Sequence, residues 1–177
     1  IESKTEIILQ DNERNHLTPI SVVCGRFYSL FLVKTNEGKL ELIYSHSNKE
    51  GVPIFLNIKD QKPIALFGGM TNSAAITANG SIIMITKAVI ESPEDPVKTL
   101  TLPDNETPIF VACCDDYFFV LAKSGKLFQY RLLTYCPSSK FTEIKEIQDK
   151  RFKFISGTFK NCFAVTQEGH VYAKGSN

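Results

Sequence analysis

The chain has 177 residues, 43% of them hydrophobic, and a formal net charge of +1. That length supports one domain with a sizeable core, and so small a charge excludes a global field that would steer the chain to nucleic acid or an acidic surface. No apolar run approaches the ~18 residues that a membrane-spanning helix requires.

The predicted elements begin with an alternating segment at residues 5–9, whose period of two marks a strand with one solvated face. Pro19-Ile20 then opens an apolar run through Val22-Val23-Cys24 that ends at Gly25. Proline is tolerated at the first position of a strand, where its missing donor costs little. Residues 28–33 form a third strand, Thr35-Asn36-Glu37-Gly38 a hairpin turn, and residues 39–44 a fourth strand. The same succession returns three times. Alternating segments lie at 52–58, 97–102 and 141–147. Apolar runs follow at Ala65-Leu66-Phe67, at Phe110-Val111-Ala112-Cys113 and around Phe154. Third strands are expected at 73–77, 118–122 and 162–166, and fourth strands at 81–85, 126–130 and 170–173.

The turn glycines Gly38, Gly80, Gly125 and Gly169 are separated by 42, 45 and 44 residues. Glycine closing a short loop suits the left-handed position of a bulged hairpin. A period in this range, with several short strands per unit, indicates blades of a β-propeller. The expected fold is therefore all-β: one repeat domain with four-stranded antiparallel units at 5–44, 52–85, 97–130 and 141–174. The apolar second strands read as buried on both faces, near the propeller axis. No segment makes a convincing amphipathic helix, residues 143–153 being the only ambiguous stretch. Residues 91–96 form an acidic, turn-rich loop. The cysteines number five, and Cys24, Cys113 and Cys162 fall inside strand-like apolar runs, which predicts buried free thiols. For the adjacent pair Cys113-Cys114, alternation predicts opposite faces, with one thiol buried and one half-exposed.

These units resemble the regulator-of-chromosome-condensation repeat family. Val22-Val23-Cys24-Gly25 and Val111-Ala112-Cys113 match the opening of its pattern. Asn72-Ser73-Ala74-Ala75-Ile76-Thr77 and Asn161-Cys162-Phe163-Ala164-Val165-Thr166 match the middle. Gly169-His170-Val171-Tyr172-Ala173-Lys174-Gly175-Ser176-Asn177 matches the close, and Ser47-Asn48-Lys49-Glu50-Gly51 is a weaker copy of it. The chain departs from the family at defined places. The histidine of the middle motif is replaced by Tyr28, Asn72, Tyr117 and Asn161, tryptophan is absent, and Cys114 stands where glycine is expected. The resemblance implies a seven-bladed propeller, of which four units fill about half. The chain is therefore expected to be part of a longer protein, and an open half-ring would expose an apolar blade face.

Nothing in the sequence marks a chemical active site. His16, His46 and His170 sit in unrelated segments without metal-ligand spacing. Neither a nucleophile elbow nor a phosphate-binding glycine loop is present. No catalytic residue, metal or cofactor is expected. Asp115-Asp116 reads as a solvated turn. Lys145, Lys150, Arg151, Lys153 and Lys160 cluster around Phe152 and Phe154. The cluster reads as a solvated rim and not as a stacking platform for nucleic acid, because both rings fall in the buried-strand position. The candidate functional residues are instead the turns between second and third strands, which a propeller gathers on one face. They carry Arg26, Phe27 and Tyr28; Met70, Thr71 and Asn72; Asp115, Asp116 and Tyr117; and Thr158, Phe159 and Lys160. Aromatic rings beside charges serve either as protein-binding anchors or as packing between blades. The expected function is a non-enzymatic protein-interaction module, cytoplasmic or nuclear, with a protein partner, no nucleic acid and no membrane. The resemblance implies an alternative, guanine-nucleotide exchange on a small GTPase.

Overall fold

A computed structural model describes residues 16–46, 53–132 and 140–175. These residues form four antiparallel sheets in sequence order. The first contains β1 (Thr18–Cys24), β2 (Tyr28–Lys34), β3 (Leu40–His46) and β4 (Ile54–Phe55). The second contains β5 (Pro63–Gly68), β6 (Ser73–Thr77), β7 (Ile82–Ile85) and β8 (Lys98–Leu100). The third contains β9 (Pro108–Cys113), β10 (Tyr117–Ala122), β11 (Leu127–Arg131) and β12 (Thr142–Glu143). The fourth contains β13 (Phe152–Gly157), β14 (Cys162–Thr166) and β15 (Val171–Lys174). The expected strand at residues 5–9, Cys136, the weaker closing motif at 47–51 and the final Ser176-Asn177 lie outside the described residues.

Each alternating segment joins the sheet of the three strands that precede it, pairing with the last of them. Thus β4 pairs with β3, β8 with β7 and β12 with β11. These outer strands are shorter than the alternation predicts, and residues 145–147 turn into a 3₁₀ segment instead of extending β12. Among the described residues a single α-helix, α1 (Lys87–Glu91), occupies the connection before β8, where no helix is expected from the sequence. At five residues it is little more than one turn, too short to leave a periodic signature.

The first strands β1, β5, β9 and β13 adjoin one another in succession, so the sheets fan out around that side. Between consecutive sheets lie separate apolar layers. Leu30, Leu32 and Leu42 pack against Leu66, Ala75 and Ile83. Ala74, Ile82 and Met84 pack against Val111, Val120 and Phe128. Phe119, Leu121 and Leu127 pack against Phe152, Ile155 and Ala164. Alternation within one strand supplies both layers: Ala74 faces the third sheet, and its neighbour Ala75 faces the first. Strands buried on both faces are therefore the middle ones, β6, β7 and β10.

The sequence pattern predicts the first strands of these sheets, the second of each unit in the sequence reading, to be buried on both faces, and the structure corrects this. Ile20, Val22, Ile109 and Phe154 are exposed, and Ile64 is 62% exposed. Val22 and Phe154 lie on the outer faces of the first and fourth sheets, which no other described sheet covers. Every first strand also carries an irregularity in register, between Pro19 and Ser21, Pro63 and Ala65, across Ile109, and between Phe152 and Phe154. Such bulges leave Ile20, Ile64, Ile109 and Lys153 without a cross-strand partner and turn their side chains outward. Cys24, expected to be buried, is exposed because it lies on the face of the first sheet opposite Val23, which no other described sheet covers, whereas Cys113, Cys114 and Cys162 are all buried. Cys113 and Cys114 do point to opposite faces, into two different interlayers, and both are buried there.

The hairpins that follow β2, β6, β10 and β14 close on glycine. Gly38, Gly80, Gly125 and Gly169 have φ of +85°, +79°, +85° and +94°, a region costly for any residue with a Cβ. The far side of the fourth sheet carries exposed Phe163 and Val171, on the face opposite Cys162 and Ala164. In the third sheet the ring of Phe119 is instead covered by the fourth sheet.

Candidate functional site

The turns between first and second strands form one row. In each, the residue at the end of the first strand donates its N–H to a carbonyl three residues on: Gly25 to Tyr28, Gly69 to Asn72, Cys114 to Tyr117 and Thr158 to Asn161. These bonds define equivalent positions in the four turns. Neighbouring turns are joined as well. Arg26 N–H donates to the Met70 carbonyl (3.0 Å), and Asp115 N–H donates to the Phe159 carbonyl (2.7 Å). Thr71 Oγ1 donates to Asp115 Oδ1 at 2.8 Å. Arg26, Phe27, Asp116 and Lys160 are exposed along this rim. The Arg26 guanidinium lies 4.7 Å from the centre of the Phe27 ring, and Lys160 Nζ lies 5.6 Å from that of Phe159.

Not every candidate residue is presented. Tyr28 is 6% exposed. Its ring stacks on Tyr44 at 5.2 Å, and its hydroxyl lies 2.9 Å from the carbonyl oxygens of both Gly69 and Asn72 in the second sheet. Tyr28 is thus a clamp between sheets, and burial raises its phenol above the ordinary value of 10.0. Asn72, the equivalent residue one turn on, repeats the device with another chemistry. Its Nδ2 donates to the carbonyls of Cys114 (3.1 Å) and Asp115 (3.0 Å) in the third sheet. The residues at the family's histidine position therefore tie each of the first two sheets to the next.

At the third position the device is missing. Tyr117 stacks on Phe119 at 5.6 Å instead, and among the described residues no hydrogen bond runs from its hydroxyl to the fourth sheet. The reason is local. A Cβ at Gly25 would collide with the Tyr28 ring, so that ring occupies the space a side chain would fill. Cys114 has a side chain at the equivalent position, and its Sγ is directed to the Asn161 carbonyl. A notch of about 430 Å³ is left between the third and fourth sheets, walled by Cys114, Tyr117, Phe119 and Phe159. Asp116, Lys160 and Lys174 stand around it. Lys174 Nζ reaches across from the fourth sheet to Gln129 Oε1 (2.7 Å) and lies within 6.0 Å of the Tyr117 and Phe119 ring centres. The Arg131 guanidinium lies 5.7 Å from the centre of the Tyr117 ring. Phe119, Arg131 and Lys174 are not among the residues that the sequence singles out. The displaced glycine at Cys114 was the available signal.

Burial holds the three buried thiols in their protonated form near neutral pH. Burial pushes Cys114 up to about 11 and Cys162 up to about 12, and raises Cys113 well above the ordinary 9.0. Among the described residues no group of histidines, cysteines and carboxylates is placed to hold a metal ion, and no helix is long and apolar enough to cross a membrane. In the basic cluster, Phe152 is buried, but Phe154 is 51% exposed and tilts against Phe110 at 5.9 Å. Phe154 therefore lies on the same open face of the fourth sheet as Phe163 and Val171, not in the interior as its strand position predicts.

Four such sheets, stacked face to face about their first strands, are blades of a β-propeller. The fold is that of an RCC1-like propeller. The chain is similar to human WBSCR16, at TM-score 0.68 and 15% identity, over 94% of this chain and 49% of that one. It is similar to yeast RCC1 (Prp20) bound to Kap60, at TM-score 0.65 and 16% identity, over 92% and 44%. Prp20p from Saccharomyces cerevisiae, studied for its binding to Gsp1p and histones, matches at TM-score 0.63 and 15% identity, over 92% and 46%. The chain thus spans about half the length of the solved structures it resembles. No protein-family model and no curated protein sequence matches it.

Proposed function

We propose that this chain is a protein-interaction module whose contact surface is the rim of turns at Arg26, Phe27, Asp116, Phe159 and Lys160. The observation that carries this reading is the row itself. Backbone bonds from Arg26 to Met70 and from Asp115 to Phe159 hold consecutive turns in register, and charged and aromatic side chains stand exposed on it. A rigid backbone presenting rings beside charges lowers the ordering cost of association. The partner is a protein, and the site of action cytoplasmic or nuclear. The test is charge reversal at one end of the rim. Arg26→Glu combined with Phe27→Ser in the full-length protein should abolish association with a partner that the parent protein binds, while its thermal unfolding stays unchanged. Undiminished association would remove the rim from the interface.

A second reading, guanine-nucleotide exchange on a small GTPase, is favoured by the likeness to yeast RCC1 (Prp20). Exchange needs no catalytic side chain of its own, only a surface that distorts the partner. Accelerated nucleotide release from one member of a panel of small GTPases would establish it. Release at the spontaneous rate across the panel would leave the interaction module alone.

A further inference from the structure

We propose that the notch between the third and fourth sheets is a binding site for an acidic peptide segment carrying an aromatic or aliphatic residue. The inference rests on the interaction-module reading and names the chemistry of one partner element. The notch exists because Cys114 replaces the glycine that makes room for the ring at the first seam, so Tyr117 stays outside the seam that Tyr28 fills. Cys114, Tyr117, Phe119 and Phe159 make part of its lining aromatic and apolar, which suits a side chain inserted beside these rings. Its mouth is cationic. Lys160, Lys174 and Arg131 face the Tyr117 region, and Asp116 is the acid that lines the cavity. The neighbouring Asp115 carboxylate already accepts from Thr71. Lys160 and Lys174 at the notch, with Arg131 over the Tyr117 ring, outnumber the carboxylates of Asp116 at the notch and Glu146 along its continuation, and this local excess, in a chain whose total charge is +1, favours an anionic partner. Lys174 holds Gln129 with one of its three donors and keeps others for a carboxylate. A continuation of the same seam, about 280 Å³ between Leu127, Ile144 and Tyr172, shares Phe119 and Lys174 with the notch and gives an extended segment room to run.

The experiment uses the full-length protein and fluorescein-labelled acidic hexapeptides with one central aromatic residue. Neutral and lysine-substituted hexapeptides and a single-stranded oligonucleotide serve as comparisons. Acidic peptides are expected to bind by anisotropy, and Lys160→Glu with Lys174→Glu to weaken them by about tenfold or more. Lys160→Glu alone, at an exposed turn, keeps the test valid if the double variant does not fold. Cys114→Gly should weaken binding as well, because it frees the space into which the Tyr117 ring can drop. Equal binding of neutral peptides, tighter binding of the oligonucleotide, or indifference to Lys160→Glu would overturn the proposal. If the peptides fail while Arg26→Glu/Phe27→Ser still abolishes partner association, the rim stands and the notch falls.

Discussion

Tyr28 and Tyr117 occupy the same place in two turns of one repeat, yet one is a clamp and the other a wall. Tyr28 lies over Gly25, stacks on Tyr44 and shares its hydroxyl between two carbonyls of the next sheet. Tyr117 stands beside Cys114, stacks on Phe119 and makes no hydrogen bond to the next sheet among the described residues. Identical side chains at identical backbone positions therefore differ in role through one residue three places earlier. The comparison teaches that repeats sharing strands and turns still differ at their seams, according to whether glycine or a larger residue stands at this one position.

The largest effect should follow from rebuilding the first seam as the third. Gly25→Cys forces a side chain into the Tyr28 ring, ejects that ring and forfeits its two carbonyl contacts. We expect a loss of about 2–4 kcal/mol, read as a lower midpoint in urea unfolding. Wild-type stability in Gly25→Cys would break the comparison, since the ring would then have room beside a thiol.

Next in size is the pair of phenylalanine variants. Tyr28→Phe leaves the Gly69 and Asn72 carbonyls without their shared donor and should cost about 1–2 kcal/mol. Tyr117→Phe should fall within about 0.5 kcal/mol of the parent, as for an ordinary partly exposed site. Equal losses in the two would show that Tyr117 also bridges its seam.

The hairpin glycines sharpen the contrast between a crowded turn and an open one. Both Gly125 and Gly169 have positive φ, so an alanine strains either by about 1 kcal/mol. A Cβ at Gly125 would also approach Arg151 Cβ and the Phe152 carbonyl at 3.2 Å, whereas at Gly169 it meets nothing. Gly125→Ala should therefore lower the melting temperature more than Gly169→Ala does.

The smallest effect is alkaline. Burial raises Tyr28 above 10.0, and Cys114 and Cys162 from 9.0 to about 11 and about 12. The folded state holds these protons more tightly than the unfolded chain, so stability is complete below pH 9 and declines as pH rises toward 12. Cys162→Ala should make the melting temperature less steep across that window. A slope unchanged by this variant would assign the decline to other groups.

Much of the scaffold was readable because it is written locally. Pro19, Pro63 and Pro108 sit at or near strand starts, and the turn glycines take a conformation that only short-range sterics demand. The exposure of Ile20, Ile64, Ile109, Phe154 and Cys24 was not readable. An apolar run carries no mark of whether a second sheet covers it, and a bulge shifts side chains without changing composition. The rim turns could be named from sequence, but not sorted into buried Tyr28 and exposed Phe27.

The sequence by itself determined the repeat, its recurrence along the chain, the all-β blades and the positions of their turns. Each of these follows from periodicity and backbone sterics within a few residues. Only the tertiary structure decided which strands lose solvent on both faces, and that the family's histidine position serves as a clamp between sheets at Tyr28 and Asn72. It also decided that Cys114 opens a cationic, aromatic notch where Gly25 allows a sealed seam. Those outcomes depend on how residues about one repeat apart are brought within a few ångströms of each other, and no local pattern encodes that distance.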